Sequence, residues 1–438
     1  MLEKFFSKIE KITPEKWRWI LNHEGFKRYF SNTGWMFFGQ AFNLILSFFI
    51  GVWVIRYLGP ENYGILSYAL AFTGIFFFVS TLGIDRVLKR ELINFPEKRD
   101  QLLGTSFRLK IIGGSLAIVL SIFSIFLLDS SPLVRGLVFL CSLTFVLQSF
   151  NIIDVFFQVR VEAKKGVIAQ VIASSISSVL KIVIIFSGAG IIWLMLVYVL
   201  DYVWSGIFLL FFYHRTGFKI KFWKFDLSLA KKMFSDSWPL MFTSFSVFIY
   251  MKIDQVMIKE MINEVAVGLY SAPVRILDLF YFIPSIICLS LFPAVLNARK
   301  VDLKVYRSRL KKLMIFLIIL SLIVILPISI FSKYIINFLF GTEYLSSSII
   351  LGIGVWSLLG VSLRFLVGQY LVAEGYFKIY FYITLMGAVI NIVLNILLIP
   401  IWGITGAIVV TVFSYSLVPI FSLFFRKVRR DFFRLKSV

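Results

Sequence analysis

The stretch KKLMIFLIILSLIVILPISIFSK, residues 311–333, opens on two lysines and then runs twenty residues before its next charge, Lys333. A transmembrane helix needs about 20 mostly apolar residues, so 311–331 reads as a membrane span. Eleven further runs read the same way: 34–55, 62–84, 109–128, 134–157, 167–186, 190–213, 237–258, 269–297, 347–373, 378–398 and 403–425. Short separators rich in Gly, Pro, Ser or charge divide them, as in Leu58-Gly59-Pro60-Glu61-Asn62 and Ile399-Pro400-Ile401-Trp402-Gly403. The runs are too long and too continuously apolar for the alternating strands of a membrane barrel. The expected fold is an all-α polytopic membrane protein with about twelve transmembrane helices.

Composition agrees. The chain has 438 residues, 59% of them hydrophobic and only 16% charged, against about 25% charged in soluble domains. Mean hydropathy is +0.91. Too little polar surface is present to cover a water-facing globule, which excludes a soluble enzyme and a disulfide-stapled secreted scaffold. Cys141 and Cys288 lie inside apolar runs and His23 and His214 are the only histidines, so no metal site is expected.

The formal charge of +22 suggests nucleic acid or a membrane surface. Position decides between them. The N-terminus and every second connection hold 37 of the 45 Lys and Arg residues, the opposite connections hold Arg56, Arg135, Lys259 and Lys333, and four lie within spans. This asymmetry places both termini in the cytoplasm and leaves no need for a nucleic-acid partner.

The sequence therefore divides into a basic cytoplasmic N-terminal segment (1–33), a six-helix bundle (34–213), a cytoplasmic amphipathic linker (214–236), a second six-helix bundle (237–425) and a basic tail (426–438). Residues 1–31 are charged and are not expected to form a signal peptide, lacking its short apolar core. In the linker, Lys219, Lys221, Lys224, Lys231 and Lys232 alternate with Phe218, Phe222, Trp223 and Phe225. Aligning Gly64 with Gly268, an offset of 204, brings Ser67 onto Ser271 and leaves six spans in each half. Six is even, so the halves enter from the same side, as in a parallel transporter repeat suited to alternating access.

The candidate functional charges within the spans are Lys181, Asp201, Lys252, Asp254, Arg275, Asp278 and Arg364. Each costs at least about 2.5–3.5 kcal/mol near the bilayer centre unless it faces a cavity or a partner. Lys181 lies near a helix end and can snorkel; Arg275 and Asp278, three apart, share a face and can pair. Taken together, four cations suit a wet cleft that binds an anion, since Arg and Lys ligate phosphate oxygens. Asp201, Asp254 and Asp278 are candidate acids for H+ or Na+ coupling. Asn43, Gln148, Asn151, Asn391 and Asn395 suit either sugar hydroxyls or interhelical hydrogen bonds. No Walker A, GxSxG or HExxH sequence is present and no cofactor is expected.

Several segments together resemble the polysaccharide-biosynthesis flippases, the Wzx-type exporters of lipid-linked repeat units, within the superfamily that also holds MATE drug exporters and MurJ. They are Arg56-Tyr57-Leu58-Gly59-Pro60-Glu61-Asn62-Tyr63-Gly64, Gly83-Ile84-Asp85 with Arg90-Glu91, and Trp223-Lys224-Phe225-Asp226 running on to Ser237-Trp238-Pro239-Leu240. Lys252 through Ile258, Val267 through Ile276, Tyr281-Phe282-Ile283-Pro284, Asn391 through Pro400 and Gly403-Ile404-Thr405-Gly406-Ala407 complete the set. The resemblance implies a cation-lined cavity between two rocking bundles of an inner-membrane transporter. Its implied substrate is an undecaprenyl-diphosphate-linked oligosaccharide for O-antigen, lipopolysaccharide or capsule, with polysaccharide polymerase and assembly proteins as partners. The pattern matches at Arg56, Gly59, Asp85, Arg90, Lys252, Asp254 and Arg275; Lys181 and Arg364 rest on the bilayer argument alone. A cation-coupled multidrug exporter and, from another class, a membrane polysaccharide polymerase or ligase are the alternatives.

Overall fold

A computed structural model describes residues 24–129, 131–299, 302–425 and 428–429. Residues 1–23 and most of the 426–438 tail, with the expectations placed on them, lie outside the described residues. Among the described residues every regular element is helical. The first part runs α1 (Glu24–Ile75), α2 (Phe77–Thr81), α3 (Ile84–Asn94), α4 (Arg99–Leu128), α5 (Pro132–Ser142), α6 (Thr144–Leu147), α7 (Ile152–Val159), α8 (Ala163–Ser187) and α9 (Ile191–Arg215). The second runs α10 (Leu227–Met261), α11 (Glu264–Arg299), α12 (Leu303–Phe340), α13 (Ser348–Gly354), α14 (Ser357–Ala373) and α15 (Phe377–Ser422).

Eight helices among the described residues are long and apolar enough to cross a membrane, or nine if α13 and α14, bent by 43°, form one broken span. The division differs from the twelve separate runs in a physical way. Runs 34–55 and 62–84 join through α1, broken at Gly59 (φ 67°, ψ 175°) just before Pro60. Runs 378–398 and 403–425 join through α15, broken at Gly403 (φ 58°) just after Pro400. Only glycine adopts these dihedrals cheaply, and proline removes a helical N–H, so each pair turns sharply without a loop. The run 134–157 is not one regular helix. It passes through α5, α6, a 3-10 turn at Gln148–Asn151 and α7. The Phe145 carbonyl presses toward Gly114, where a Cβ would stand 2.6 Å away.

The chain forms two compact units. The first comprises Met1–Ile50 and Phe76–Met241. Its core gathers Ile84, Val87, Leu88 and Leu92 of α3 against Leu102 and Leu103 of α4, Ile153 and Phe157 of α7, and Tyr213 of α9. The spacing i, i+3, i+4, i+8 in α3 is that of a helix with one apolar face. Outward-facing Phe123, Phe126 and Leu127 of α4 remain exposed, as lipid-facing side chains do.

The second unit comprises Gly51–Ile75 and Phe242–Val438. The expected contiguous halves, 34–213 and 237–425, therefore differ at 51–75, the tip of the first hairpin, which groups with the later residues. Glycines explain this. A Cβ on Gly64 would stand 1.8 Å from the Glu264 carbonyl oxygen, and one on Gly268 would stand 1.8 Å from that of Pro60. Small residues let membrane helices approach this closely. Gly64 and Gly268 are the residues aligned in the sequence, and their close approach is reciprocal.

Candidate functional site

Three of the four cations within spans fall in the second unit. Lys252 of α10 donates to Asp278 of α11 at 3.0 Å, and the two side chains remain 26% and 38% exposed. Asp278, three residues from Arg275 on the same helix, thus takes a partner from α10. The Arg275 guanidinium packs against the backbone of Gly51, where a Cβ would meet its Nε at 2.2 Å. Arg364 is buried, its guanidinium 5.4 Å from the Phe365 ring centroid and 5.7 Å from that of Tyr415.

Asp254, buried in α10, is a different kind of acid. Its carboxylate accepts from the Tyr270 hydroxyl, from the Thr411 hydroxyl at 3.3 Å and from the Gln255 N–H at 2.9 Å. It ties α10 to α11 and α15. Asn391 and Asn395, both buried, hydrogen-bond within α15: Asn395 donates to Asn391 at 3.2 Å, and Asn391 donates across the Gly403 break to Ser414 at 3.3 Å. A cavity of about 420 Å³ lined by Ser329, Ser332, Ser348, Gly352, Trp356 and Val412 contains none of the predicted residues.

The first unit holds the rest. Lys181, half-buried, lies six residues before the end of α8. Asp201 in α9 has one carboxylate oxygen shielded from solvent with no hydrogen-bond partner among the described residues. Asn43 accepts from Ser174 at 2.7 Å, Gln148 donates to Ser80 at 2.5 Å, and Asn151 sits half-buried in the 3-10 turn.

The residues of the resemblance act largely as fasteners. Arg56 donates from Nε to the Leu339 carbonyl at 2.6 Å and from Nη2 to that of Phe338, capping the C-terminus of α12. Arg135 does the same for α4, donating to Asp129 O at 2.7 Å. Two of the four cations on the sparsely charged side are therefore helix C-caps, which favour positive charge. Glu343 approaches Gly59, and the Tyr344 hydroxyl donates to Ile55 O at 3.1 Å. Arg90 bridges Glu91 and Asp236, and these hydrogen bonds push its pKa up, keeping it a fixed cation.

Sequence reasoning missed Lys110. Counted with a connection, it is 1% exposed and pairs with Asp85 at 2.5 Å. The apolar residues that follow Lys110 in α4 were the available signal. Asp85→Ala would leave this ammonium buried without its counter-charge, a change costing about 3–5 kcal/mol in buried pairs; the lower end applies because Asp85 is 43% exposed. The expected result is a clear fall in unfolding temperature, largely reversed in the double variant Asp85→Asn/Lys110→Met.

Comparison with known proteins places this arrangement. The profile described as polysaccharide biosynthesis protein matches residues 30–298, more than half of the chain, and a second described as MatE matches 239–397. An uncharacterized membrane protein of Methanocaldococcus jannaschii, MJ1068, is 39% identical over 112 residues, a stretch covering 24% of this chain and 22% of that protein. Among solved structures, an inward-facing multidrug resistance MATE family transporter of the MOP superfamily superposes with TM-score 0.71 at 14% identity, over 88% of this chain and 94% of that one. The lipid II flippase MurJ in an inward closed conformation gives 0.69 at 18% identity, over 88% and 86%. At such identities the likeness establishes the fold, that of MOP superfamily transporters. The profile match takes in most of α1, all of α2 to α10 and nearly all of α11, with the Lys252–Asp278 pair inside it: the chain belongs to the polysaccharide biosynthesis protein family.

Proposed function

We propose that the protein is a flippase that carries a polyprenyl-diphosphate-linked oligosaccharide from the inner to the outer leaflet of the cytoplasmic membrane by alternating access. The observation carrying this reading is the partly exposed Lys252–Asp278 pair between α10 and α11. A diphosphate must shed water to cross about 30 Å of hydrocarbon, so a waiting cation has to replace its hydration. Lys252 is such a cation, balanced meanwhile by a carboxylate that a doubly charged diphosphate, with more acceptor oxygens, can displace. Arg275 adds a forked donor, and Arg364 and Lys181 are further candidates. The sugars travel in the wet cleft while the polyprenyl tail stays in lipid. The family and the fold support a transporter rather than an enzyme.

Twelve spans with both termini cytoplasmic remain the proposed topology. An inside-negative potential favours outward movement of one negative charge by about 2.3 kcal/mol per 100 mV. Asp201 or Asp278 offers an alternative route through H+ or Na+; Asp254 already accepts three hydrogen bonds.

The MatE profile favours a second reading, cation-coupled multidrug export. One preparation separates the two. Proteoliposomes receive either a fluorescent polyprenyl-diphosphate sugar, scored by an impermeant quencher, or ethidium under an imposed proton or sodium gradient. Flipping without ethidium efflux is the expected result; efflux without flipping overturns the reading.

A further inference from the structure

The segment joining α9 to α10 takes no part in the ion pairs or caps of the transport site. Its residues sort into two sets. Phe218 and Trp223 turn inward. The Phe218 ring centroid lies 3.9 Å from the Arg99 guanidinium and 5.1 Å from that of Arg160. Trp223 donates to the Tyr213 hydroxyl at 3.0 Å, its ring 5.3 Å from that of Phe107. The backbone is pinned as well: the Lys224 N–H donates to Asp100 O and the Asp226 N–H to the Thr105 hydroxyl, both at 3.1 Å. Gly104 makes room, since a Cβ there would stand 2.4 Å from the Lys224 carbonyl oxygen.

The outward set consists of Lys219, Lys221 and Lys224 interleaved with Ile220, Phe222 and Leu227, all exposed. Ile220, Phe222 and Leu227 are 40%, 52% and 60% exposed. A water-facing connection gains nothing from holding three large apolar side chains outward on a pinned backbone. Apolar residues beside lysines are the composition of a surface lying at the headgroup layer. The position fits: the segment follows directly on α9, which is long and apolar enough to cross the membrane.

We infer that residues 219–227 are a docking surface for anionic phospholipid headgroups of the leaflet they face. The three ammonium groups pair with headgroup phosphates, while Ile220, Phe222 and Leu227 enter the acyl boundary. The inference is independent of what the protein transports.

The test uses the full chain in lipid nanodiscs with Phe222→Cys carrying bimane; Cys141 and Cys288 are buried. Emission is compared in phosphatidylcholine alone and in mixtures with phosphatidylglycerol. A blue shift that grows with phosphatidylglycerol is expected. It should vanish in Lys219→Gln/Lys221→Gln/Lys224→Gln, because each lysine near an anionic surface contributes about fivefold to binding. Emission that ignores phosphatidylglycerol, or a phosphatidylglycerol-dependent shift that survives the triple substitution, overturns the inference.

Discussion

Lys252→Ala is expected to abolish export of the lipid-linked oligosaccharide in a complementation assay, with the protein still present in the membrane. The substitution removes the cation proposed to meet the diphosphate. A hydrogen bond to a charged group contributes about 1.5–3 kcal/mol, so substrate affinity should fall by roughly 10- to 150-fold. The partial exposure of the pair limits the folding penalty, because Asp278 can be hydrated when its partner is gone. Asp278→Asn separates charge balance from substrate binding. It removes the competing carboxylate and should tighten binding of a soluble diphosphate analogue while slowing release. Arg275→Lys should lose most activity despite keeping its charge, since the forked guanidinium is replaced by a point charge. Normal surface glycan from both Lys252→Ala and Arg275→Ala would defeat the cationic-site reading.

Gly64→Val or Gly268→Val is expected to destroy the fold of the second unit. At each position the added Cβ would meet a backbone carbonyl oxygen at 1.8 Å, and backbone cannot rotate aside as a flexible side chain can. Overpacking of an ordinary core costs about 1–3 kcal/mol; here two helix backbones must separate, so the effect should exceed that range. A thiol-reactive dye reports it directly, because Cys288, in the second unit, is buried and becomes reactive only on unfolding. The variants should label at temperatures at which the parent does not. Gly136→Ala is the control, since nothing lies within 4 Å of its added Cβ.

The fate of the charged residues shows how far the sequence could be read. Lys252, Asp254, Arg275, Asp278 and Arg364 stood out because the bilayer penalises each, and all five lie in helices of one unit. Which partner each takes was not legible. Three residues apart, Arg275 and Asp278 are neighbours on a helix surface, yet Asp278 meets Lys252 from α10. Asp254 stood out equally, but Tyr270 and Thr411, supplied by α11 and α15, occupy its oxygens. Arg56 belonged to a recognisable motif with no stated task until the C-terminus of α12 was placed beside it.

The helical class, the apolar runs and the separators at Gly59 and Gly403 are legible in the residues alone. Hydropathy and backbone preference are local properties that add along the chain, so they can be read without knowing what packs where. Packing, and not local pattern, groups residues 51–75 with the second unit, buries Lys110 against Asp85 and balances Lys252 with Asp278. Those outcomes depend on how helices rotate about their axes and where they cross. Close glycine contacts such as Gly64 with Gly268 set the crossing points, through contacts between residues some two hundred positions apart.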